Sequence, residues 1–310
     1  VEQTDARLQD CSRLLTGGAR TAVARQRTLE ATVDWSYQLL SDRERRLFAR
    51  LAVFPSGWTL DAAERICSDD GVPAGAILDL LSALVSKSLV SVESAASGSR
   101  RYRFLETVRQ YARDKLAQQG DVERRQRQHF EFFWAEFRGA MPVLRGPDEI
   151  PCLRRIHLEE DSIRAALDWG LESAPHVEAA LELATALFWY WTKRGQFREG
   201  QQWLERALAR ATAAGGSQRA RGLIGLAHMY HFQGLYPRAG ACGAEAFTLG
   251  TSSGDAWSVS FALFSAGLSS FERGNPDEAD RFAVAAREAA NASGEAIQHG
   301  GPLMLLGDVA

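Results

Sequence analysis

The chain has 310 residues, a formal net charge of −3, and 45% hydrophobic and 24% charged residues. This composition is ordinary for a folded globular chain, so it excludes global disorder, and the nearly balanced charge argues against a protein that coats nucleic acid electrostatically. No apolar run approaches the roughly 20 residues that a membrane-spanning helix needs.

Helical periodicity predicts four consecutive helices in the first part of the chain. The first spans residues 28–40, with Leu29, Val33, Tyr37 and Leu40 on one stripe. Ser41 and Glu44 form a capping-box pattern at the start of the second helix, and Thr59 is in position to cap the third. The fourth helix follows the break at residues 71–73.

A β-hairpin follows these helices. Its strands are predicted at residues 89–92 and 101–105, around a turn of small residues at 94–99, and a helix from Glu106 to Gln119 comes next. Helices followed by one hairpin, within fewer than 100 residues, are typical of a winged-helix domain. We expect Trp35 of the first helix to be buried against its neighbours.

Two connecting helices are predicted over residues 121–172, separated by Gly146 and Pro147. A repeat of about 40 residues follows. Its markers are turn glycines, each followed two residues later by the start of an alanine-rich helix: Gly195 and Phe197, Gly234 and Tyr236, Gly274 and Pro276. A fourth repeat begins at residues 303–307. This pattern predicts a solenoid of helical hairpins, each burying its apolar face against its neighbours.

These units resemble tetratricopeptide repeats when they are aligned on the turn glycine. The second unit matches most fully, at Leu226, Ala227, Tyr230, Gly234, Tyr236, Ala239 and Ala246. In that family the first helix of each repeat lines a concave groove that binds partners. The resemblance therefore implies groove residues Trp189, Lys193, His228, His231, Phe232, Phe261, Phe264 and Phe271. The alternative is that these aromatic side chains form the core between repeats.

A second resemblance covers nearly the whole chain. The segments that carry it include LLTGG at 14–18, RQRTL at 25–29, TVDWSY at 32–37, LETVRQYA at 105–112 and LDW at 167–169. They are similar to the region that begins at the end of the NB-ARC module in bacterial STAND-type transcriptional regulators, among them LuxR- and SARP-like proteins. The resemblance implies the end of an ARC or helical linker at 1–26, a winged helix at 27–118, a helical connector at 119–176 and repeats at 177–310.

In that architecture an ATPase core precedes the winged helix, and the repeats sense a protein or small-molecule inducer. The chain itself has no GxxxxGK[ST] loop, so we expect no enzyme activity from it and assign ATP or ADP to an upstream domain. Leu105 and Glu106 occupy the position of the family's Met-His-Asp nucleotide sensor, and leucine cannot donate a hydrogen bond to a phosphate. Valine at position 1 and helical patterns at both ends lead us to expect a piece of a larger cytoplasmic protein.

Two other functions compete with this interpretation. The first is a repeat scaffold whose winged helix binds DNA directly, but the candidate recognition helix at 74–88 offers only Lys87 as a basic residue. Arg100, Arg101 and Arg103 of the wing could contact a phosphate backbone. The second is a metal site at His228 and His231, which lacks nearby Asp, Glu or Cys partners in the sequence, so groove or core is favoured.

Overall fold

The structure, a computed structural model, describes residues 32–94 and 100–293 of the chain. Helices dominate it, and a small three-stranded antiparallel sheet lies in its first part. The chain divides between His129 and Phe130 into two compact units. The prediction of a mainly helical protein, with a winged helix followed by a solenoid of helical repeats, is confirmed.

The helices of the first unit follow the predicted order. They are α1 (32–38), α2 (Asp42–Arg50), α3 (Leu60–Cys67), α4 (Ile77–Ser86) and α5 (Glu106–Gln118), and α6 (Val122–Phe137) crosses into the second unit. The predicted capping box is present, because the Ser41 side chain accepts from the Glu44 N–H and the Glu44 carboxylate accepts from the Ser41 N–H. Thr59 caps α3. Residues 28–31 of the predicted first helix lie outside the described residues.

The sheet contains the predicted hairpin and one strand that was not predicted. Strands β2 (Ser91–Ser94) and β3 (Arg100–Arg103) pair antiparallel, and β1 (Gly57–Trp58) pairs with the other edge of β3. The order is β1-β3-β2. A strand of two residues is too short to show an alternating pattern, so sequence periodicity could not reveal β1. Residues 95–99 of the predicted turn lie outside the described part of the chain.

The core of the first unit is aromatic. The ring of Phe104 lies 5.2 Å from Phe48 and 5.0 Å from Trp58, and Phe54 stacks on Trp58 at 5.4 Å. All four side chains are buried. Burial of each such ring stabilises the fold by about 1.5–3 kcal/mol, so this cluster joins the sheet to α2 and the loop before β1.

The expectation that Trp35 is buried was wrong. Trp35 is 65% exposed, whereas Val33 and Leu40 are buried. Two residues correspond to about 200° around a helix, so Trp35 lies on the face opposite Val33. Tyr37, on the Val33 side, makes the ring contacts instead, at 5.5 Å from Phe48 and 5.5 Å from Tyr111.

The second unit begins with shorter helices. These are α7 (Ala140–Val143), α8 (Glu149–Leu158) and α9 (Glu160–Glu172), which follow the end of α6. Gly146 and Pro147 separate the two predicted connecting helices, of which the first corresponds to α6, and α7 is an additional short helix that was not predicted. The second connecting helix was expected to be continuous but is interrupted at Glu159, which ends α8 and precedes α9.

Three helical hairpins complete the second unit. Their pairs are α10 (Val177–Arg194) with α11 (Phe197–Arg210), α12 (Gly216–Phe232) with α13 (Tyr236–Ser253), and α14 (Ala256–Glu272) with α15 (Pro276–Ser293). Each second helix starts at the predicted residue. The turn glycines Gly195, Gly234 and Gly274 have φ of 69°, 73° and 79°, a left-handed conformation that explains the choice of glycine.

The hairpins stack in sequence, because α11 packs on α12 and α13 packs on α14. The first helices also contact one another, α10 with α12 and α12 with α14. Residues 303–307, where a fourth repeat was predicted, lie outside the described residues. Among the helices that the structure describes, none combines the length and the apolar character required to cross a membrane.

Candidate functional site

The first helices of the three hairpins bring five predicted groove residues together. His228 of α12 lies at the centre, with its ring 5.2 Å from Trp189 of α10, 4.8 Å from Phe232 and 6.1 Å from Phe261 of α14. Phe264 continues the group at 5.9 Å from Phe261. We call these five residues the aromatic cluster.

Burial differs across the aromatic cluster. Phe261 and His228 are buried, Trp189 and Phe264 are half-buried, and Phe232 is 48% exposed. The buried members join adjacent hairpins, as the core alternative expects, and the partly exposed members form a surface that a ligand can reach. The core interpretation therefore applies to Phe261 and His228, and the groove interpretation applies to Trp189, Phe264 and Phe232.

His228 is the polar centre of the aromatic cluster. Its Nε2 is buried and has no hydrogen-bond partner among the described residues. Burial, together with the charges of His231 and Arg145, lowers the pKa of His228 to about 3, so the ring is neutral at physiological pH. The Trp189 Nε1 is likewise buried without a partner in the described part of the chain. Such groups are rare in folded proteins, where most buried polar atoms are paired.

Two cations lie against the aromatic cluster. The Arg145 guanidinium is 5.3 Å from the ring centroid of Trp189 and 5.9 Å from that of Phe261. The Lys193 ammonium is 5.8 Å from the Trp189 ring and pairs with the Glu149 carboxylate at 3.0 Å. Sequence reasoning predicted Lys193 but missed Arg145, because Arg145 lies in the loop after α7, outside the repeats.

The remaining predicted residues have other surroundings. His231 Nε2 lies 3.2 Å from the Glu272 carboxylate, and its ring is 5.4 Å from Phe232. Phe271, in the last turn of α14, is 37% exposed and lies outside the aromatic cluster. Within residues 32–94 and 100–293, no group of three or more His, Cys, Asp or Glu side chains could hold a metal ion.

A cavity of about 480 Å³ adjoins the aromatic cluster. Its walls come from α12, α13, α14 and α15, and both His228 and Phe264 line it. Apart from Phe247, the α13 wall is made of small residues, and a Cβ added at Gly240 or Gly243 would meet no heavy atom within 4 Å. The sequence pattern gave no sign of this space, because small residues on a helix normally indicate close packing rather than a void.

Three of the four candidate DNA-contacting residues of the winged helix are paired within the first unit, and the fourth, Arg100, is exposed. The Lys87 ammonium donates to the Glu44 carboxylate at 2.5 Å, which ties the end of α4 to α2. In the wing, Arg101 donates to the Gly57 carbonyl at 3.0 Å, and Arg103 pairs with Glu93 at 2.8 Å.

The nucleotide-sensor position is on the surface. Leu105 precedes α5 and is 54% exposed, and Glu106 is the first residue of that helix. The Glu106 carboxylate accepts a hydrogen bond from Arg109 Nε at 2.9 Å. A carboxylate in the first turn of a helix stabilises the positive end of the helix dipole, which accounts for Glu106 without a nucleotide.

Three comparisons with known proteins bear on these features. The winged helix-turn-helix domain family matches residues 40–117. Proteins named "Putative HTH-type transcriptional regulator" from Mycobacterium bovis and Mycobacterium tuberculosis are 40% identical over 201 residues, which is 65% of this chain and 22% of theirs. The chain thus spans about a fifth of the length of these curated relatives. The first unit contains a winged helix, and the chain is similar to part of proteins named as regulators.

Two further similarities were found. An uncharacterized protein of Mycobacterium tuberculosis is 43% identical over 119 residues, 38% of this chain and 30% of its own length. Among solved structures, the chain is similar to a signal transduction ATPase with numerous domains that has a tetratricopeptide repeat sensor, from Pyrococcus horikoshii. That match has a TM-score of 0.46 and 17% identity, and covers 88% of this chain and 42% of the other.

Proposed function

We propose that this chain is the sensor and coupling part of a cytoplasmic STAND-type transcriptional regulator. The helical hairpins bind a protein or small-molecule effector at the aromatic cluster. The winged helix is an intramolecular switch module that docks on an upstream NB-ARC ATPase domain, and that domain binds ATP or ADP. DNA is read by a separate output domain.

One observation carries the sensor role: His228 Nε2 is buried at the centre of the aromatic cluster, and no residue that the structure describes forms a hydrogen bond with it. A buried unpaired polar atom is destabilising by about 1–3 kcal/mol, and a phenylalanine there would avoid that loss. A ligand that pairs with His228 recovers the missing hydrogen bond. The cluster is therefore better suited to binding than to packing alone.

The positions of the cluster residues explain how binding could change the protein. Trp189, His228 and Phe261 belong to the first helices of three successive hairpins. A ligand that contacts all three favours one angle between the hairpins over others, since ligands shift a conformational equilibrium by their difference in affinity for the two states. A change in the angle between the hairpins can transmit ligand binding to the rest of a larger protein.

The alternative is a repeat scaffold whose winged helix binds DNA directly, and the match to a winged helix-turn-helix family favours it. A helix that enters a DNA groove needs free donors for base edges and phosphates. Lys87, the only basic residue of the candidate recognition helix, is instead paired with Glu44. We therefore favour the winged helix as a protein-docking module.

The proposal is tested in the cell by changing the gene that encodes the chain. Phe232→Ala and Trp189→Ala should each reproduce the transcript changes caused by deletion of the gene, at normal protein level. Leu158→Ala removes an apolar side chain that is 49% exposed and lies outside the cluster, so it should leave transcription unchanged. Wild-type regulation in both cluster variants would exclude the sensor role.

A further inference from the structure

The cavity beside the aromatic cluster has the size of a small-molecule site. Its volume of about 480 Å³ lies within the range of roughly 300–1,000 Å³ that is typical of ligand pockets. Phe247 on its wall is 40% exposed, so the cavity opens to solvent. An apolar occupant of the right shape removes this wall surface from water, which is favourable.

The walls of the cavity are mainly apolar. Phe247 of α13, Phe264 and Leu268 of α14, and Phe282 of α15 supply the large surfaces. Gly240 and Gly243 of α13 line this space, and a Cβ added at either would meet no heavy atom within 4 Å. The occupant of such a space is largely apolar.

The charges around the cavity are balanced. Arg273 lies 3.7 Å from the Glu278 carboxylate, and the Ser270 hydroxyl joins them by accepting from Arg273 at 3.1 Å and donating to Glu278 at 2.8 Å. His231 faces Glu272 at 3.2 Å. Since each ionic group here has a partner of opposite sign, the lining does not favour a charged ligand.

His228 supplies the remaining polar contact. It lines the cavity, is 8% exposed, and has an Nε2 without a partner among the described residues. The neutral imidazole, whose pKa burial lowers to about 3, offers one N–H donor and one acceptor but no charge. A hydroxyl or carbonyl oxygen is the complementary ligand group, whereas a carboxylate would enter an apolar site without a counter-ion.

We infer that the cavity between α12, α13, α14 and α15 binds a neutral, largely apolar small molecule whose hydroxyl or carbonyl group forms a hydrogen bond with His228. This inference rests on the proposed sensor function and deepens it by naming the chemical class of the effector. It also places the ligand between hairpins, against the second helices, rather than only along the first helices.

Nile red is a suitable probe, because it is a neutral apolar fluorophore with a carbonyl group. The whole chain should bind it at micromolar concentration with a blue shift of its emission. Gly243→Leu fills the open space and should abolish binding. The matched control is Ala241→Leu, on the same helix but exposed and outside the cavity lining, and it should bind as the wild type does.

His228 is tested separately from the shape of the cavity. His228→Phe keeps a ring but removes the hydrogen bond, and it should weaken Nile red binding by about tenfold without lowering the melting temperature. His228→Gln restores a donor and an acceptor and should recover part of the affinity. An anionic dye of similar size, 8-anilinonaphthalene-1-sulfonate, should bind the wild type more weakly than Nile red.

Three results would overturn the inference: no binding of Nile red, binding that Gly243→Leu leaves intact, or preference for the anionic dye. These failures differ from failure of the sensor role. If Phe232→Ala and Trp189→Ala abolish regulation while the dye results are negative, the sensor role stands and the ligand class is wrong. If both variants regulate normally, the sensor role itself is wrong.

Discussion

The Arg50 guanidinium of α2 donates two hydrogen bonds to the Asp69 carboxylate after α3, at 3.0 and 2.5 Å. Asp69 also accepts from Arg125 of α6 at 3.1 Å and from the Gly71 N–H at 3.0 Å. Arg50 is 6% exposed and Arg125 is fully buried. Asp69 therefore pairs with two buried cations from different helices, and Asp121 pairs with the same two, at 3.6 Å from Arg50 Nε and 2.7 Å from Arg125 Nε.

This arrangement predicts acid sensitivity of the first unit. Burial alone would raise the pKa of Asp69, but the hydrogen bonds and charge of Arg50, with the Gly71 and Val72 N–H groups, outweigh it and lower the pKa to about 2. A carboxyl whose pKa is lower in the folded state stabilises the fold above its unfolded pKa near 3.8, and that contribution is lost as the pH falls towards 2.

Melting temperatures measured between pH 5 and pH 2 test this. The wild type should lose stability over that interval, and Asp69→Asn should lose less, because asparagine does not titrate. Asp255 in the second unit also has a pKa lowered to about 2 by Arg221, Ser217 and Ser258 despite its burial, so some pH dependence should remain in the variant. Identical pH profiles for the two proteins would contradict the assignment.

Truncation of Asp69 should be strongly destabilising. Asp69→Ala leaves the two buried guanidinium groups of Arg50 and Arg125 with only the Asp121 carboxylate between them, so one buried charge loses its partner and the free energy of unfolding should fall by about 3–5 kcal/mol. Urea unfolding gives this value. The control is Asp61→Ala, which removes an exposed pair with Arg65 at 4.0 Å and should change stability by less than about 1 kcal/mol. Equal effects of the two substitutions would argue against a structural role for Asp69.

Trp35 provides a test of the corrected helix face. Trp35→Ala should change the free energy of unfolding by only about 0.5 kcal/mol, because the side chain is 65% exposed. Trp58→Ala removes a fully buried ring and should lower it by about 3–5 kcal/mol. Thermal unfolding of both variants measures these two changes in stability. A large loss in Trp35→Ala would support the original expectation of burial.

The sequence predicted those features that depend on local chemistry. The left-handed turns at Gly195, Gly234 and Gly274 and the capping box at Ser41 follow from residue type and spacing, and the structure contains all of them. The ring contact between Trp189 and His228 could also be predicted from the sequence, because the two residues occupy equivalent positions of stacked repeats, and such positions lie side by side. These features need only neighbouring residues or a regular repeat.

Features that depend on unrelated segments could not be predicted. Arg145 reaches Trp189 from a loop with no repeat pattern, and the cavity arises because Gly243 faces a space whose other walls belong to α14 and α15. Trp35 shows a different limit. Val33 and Leu40 of the predicted apolar stripe are buried, but Trp35 lies at a different angle on the helix and is exposed despite its size.

The pairing of Lys87 with Glu44 predicts weak binding to DNA. Because the ammonium and carboxylate are 2.5 Å apart and Lys87 is the only cation of the candidate recognition helix, few phosphates can be neutralised by this surface. Fluorescence anisotropy with random duplex DNA should show no salt-sensitive binding at micromolar concentration of the chain. Glu44→Gln frees the ammonium but adds only about one phosphate contact, which should change the slope of log affinity against log salt by at most about 0.9. A slope corresponding to several phosphates in the wild type, reduced by Lys87→Ala, would instead establish the winged helix as the DNA-binding element.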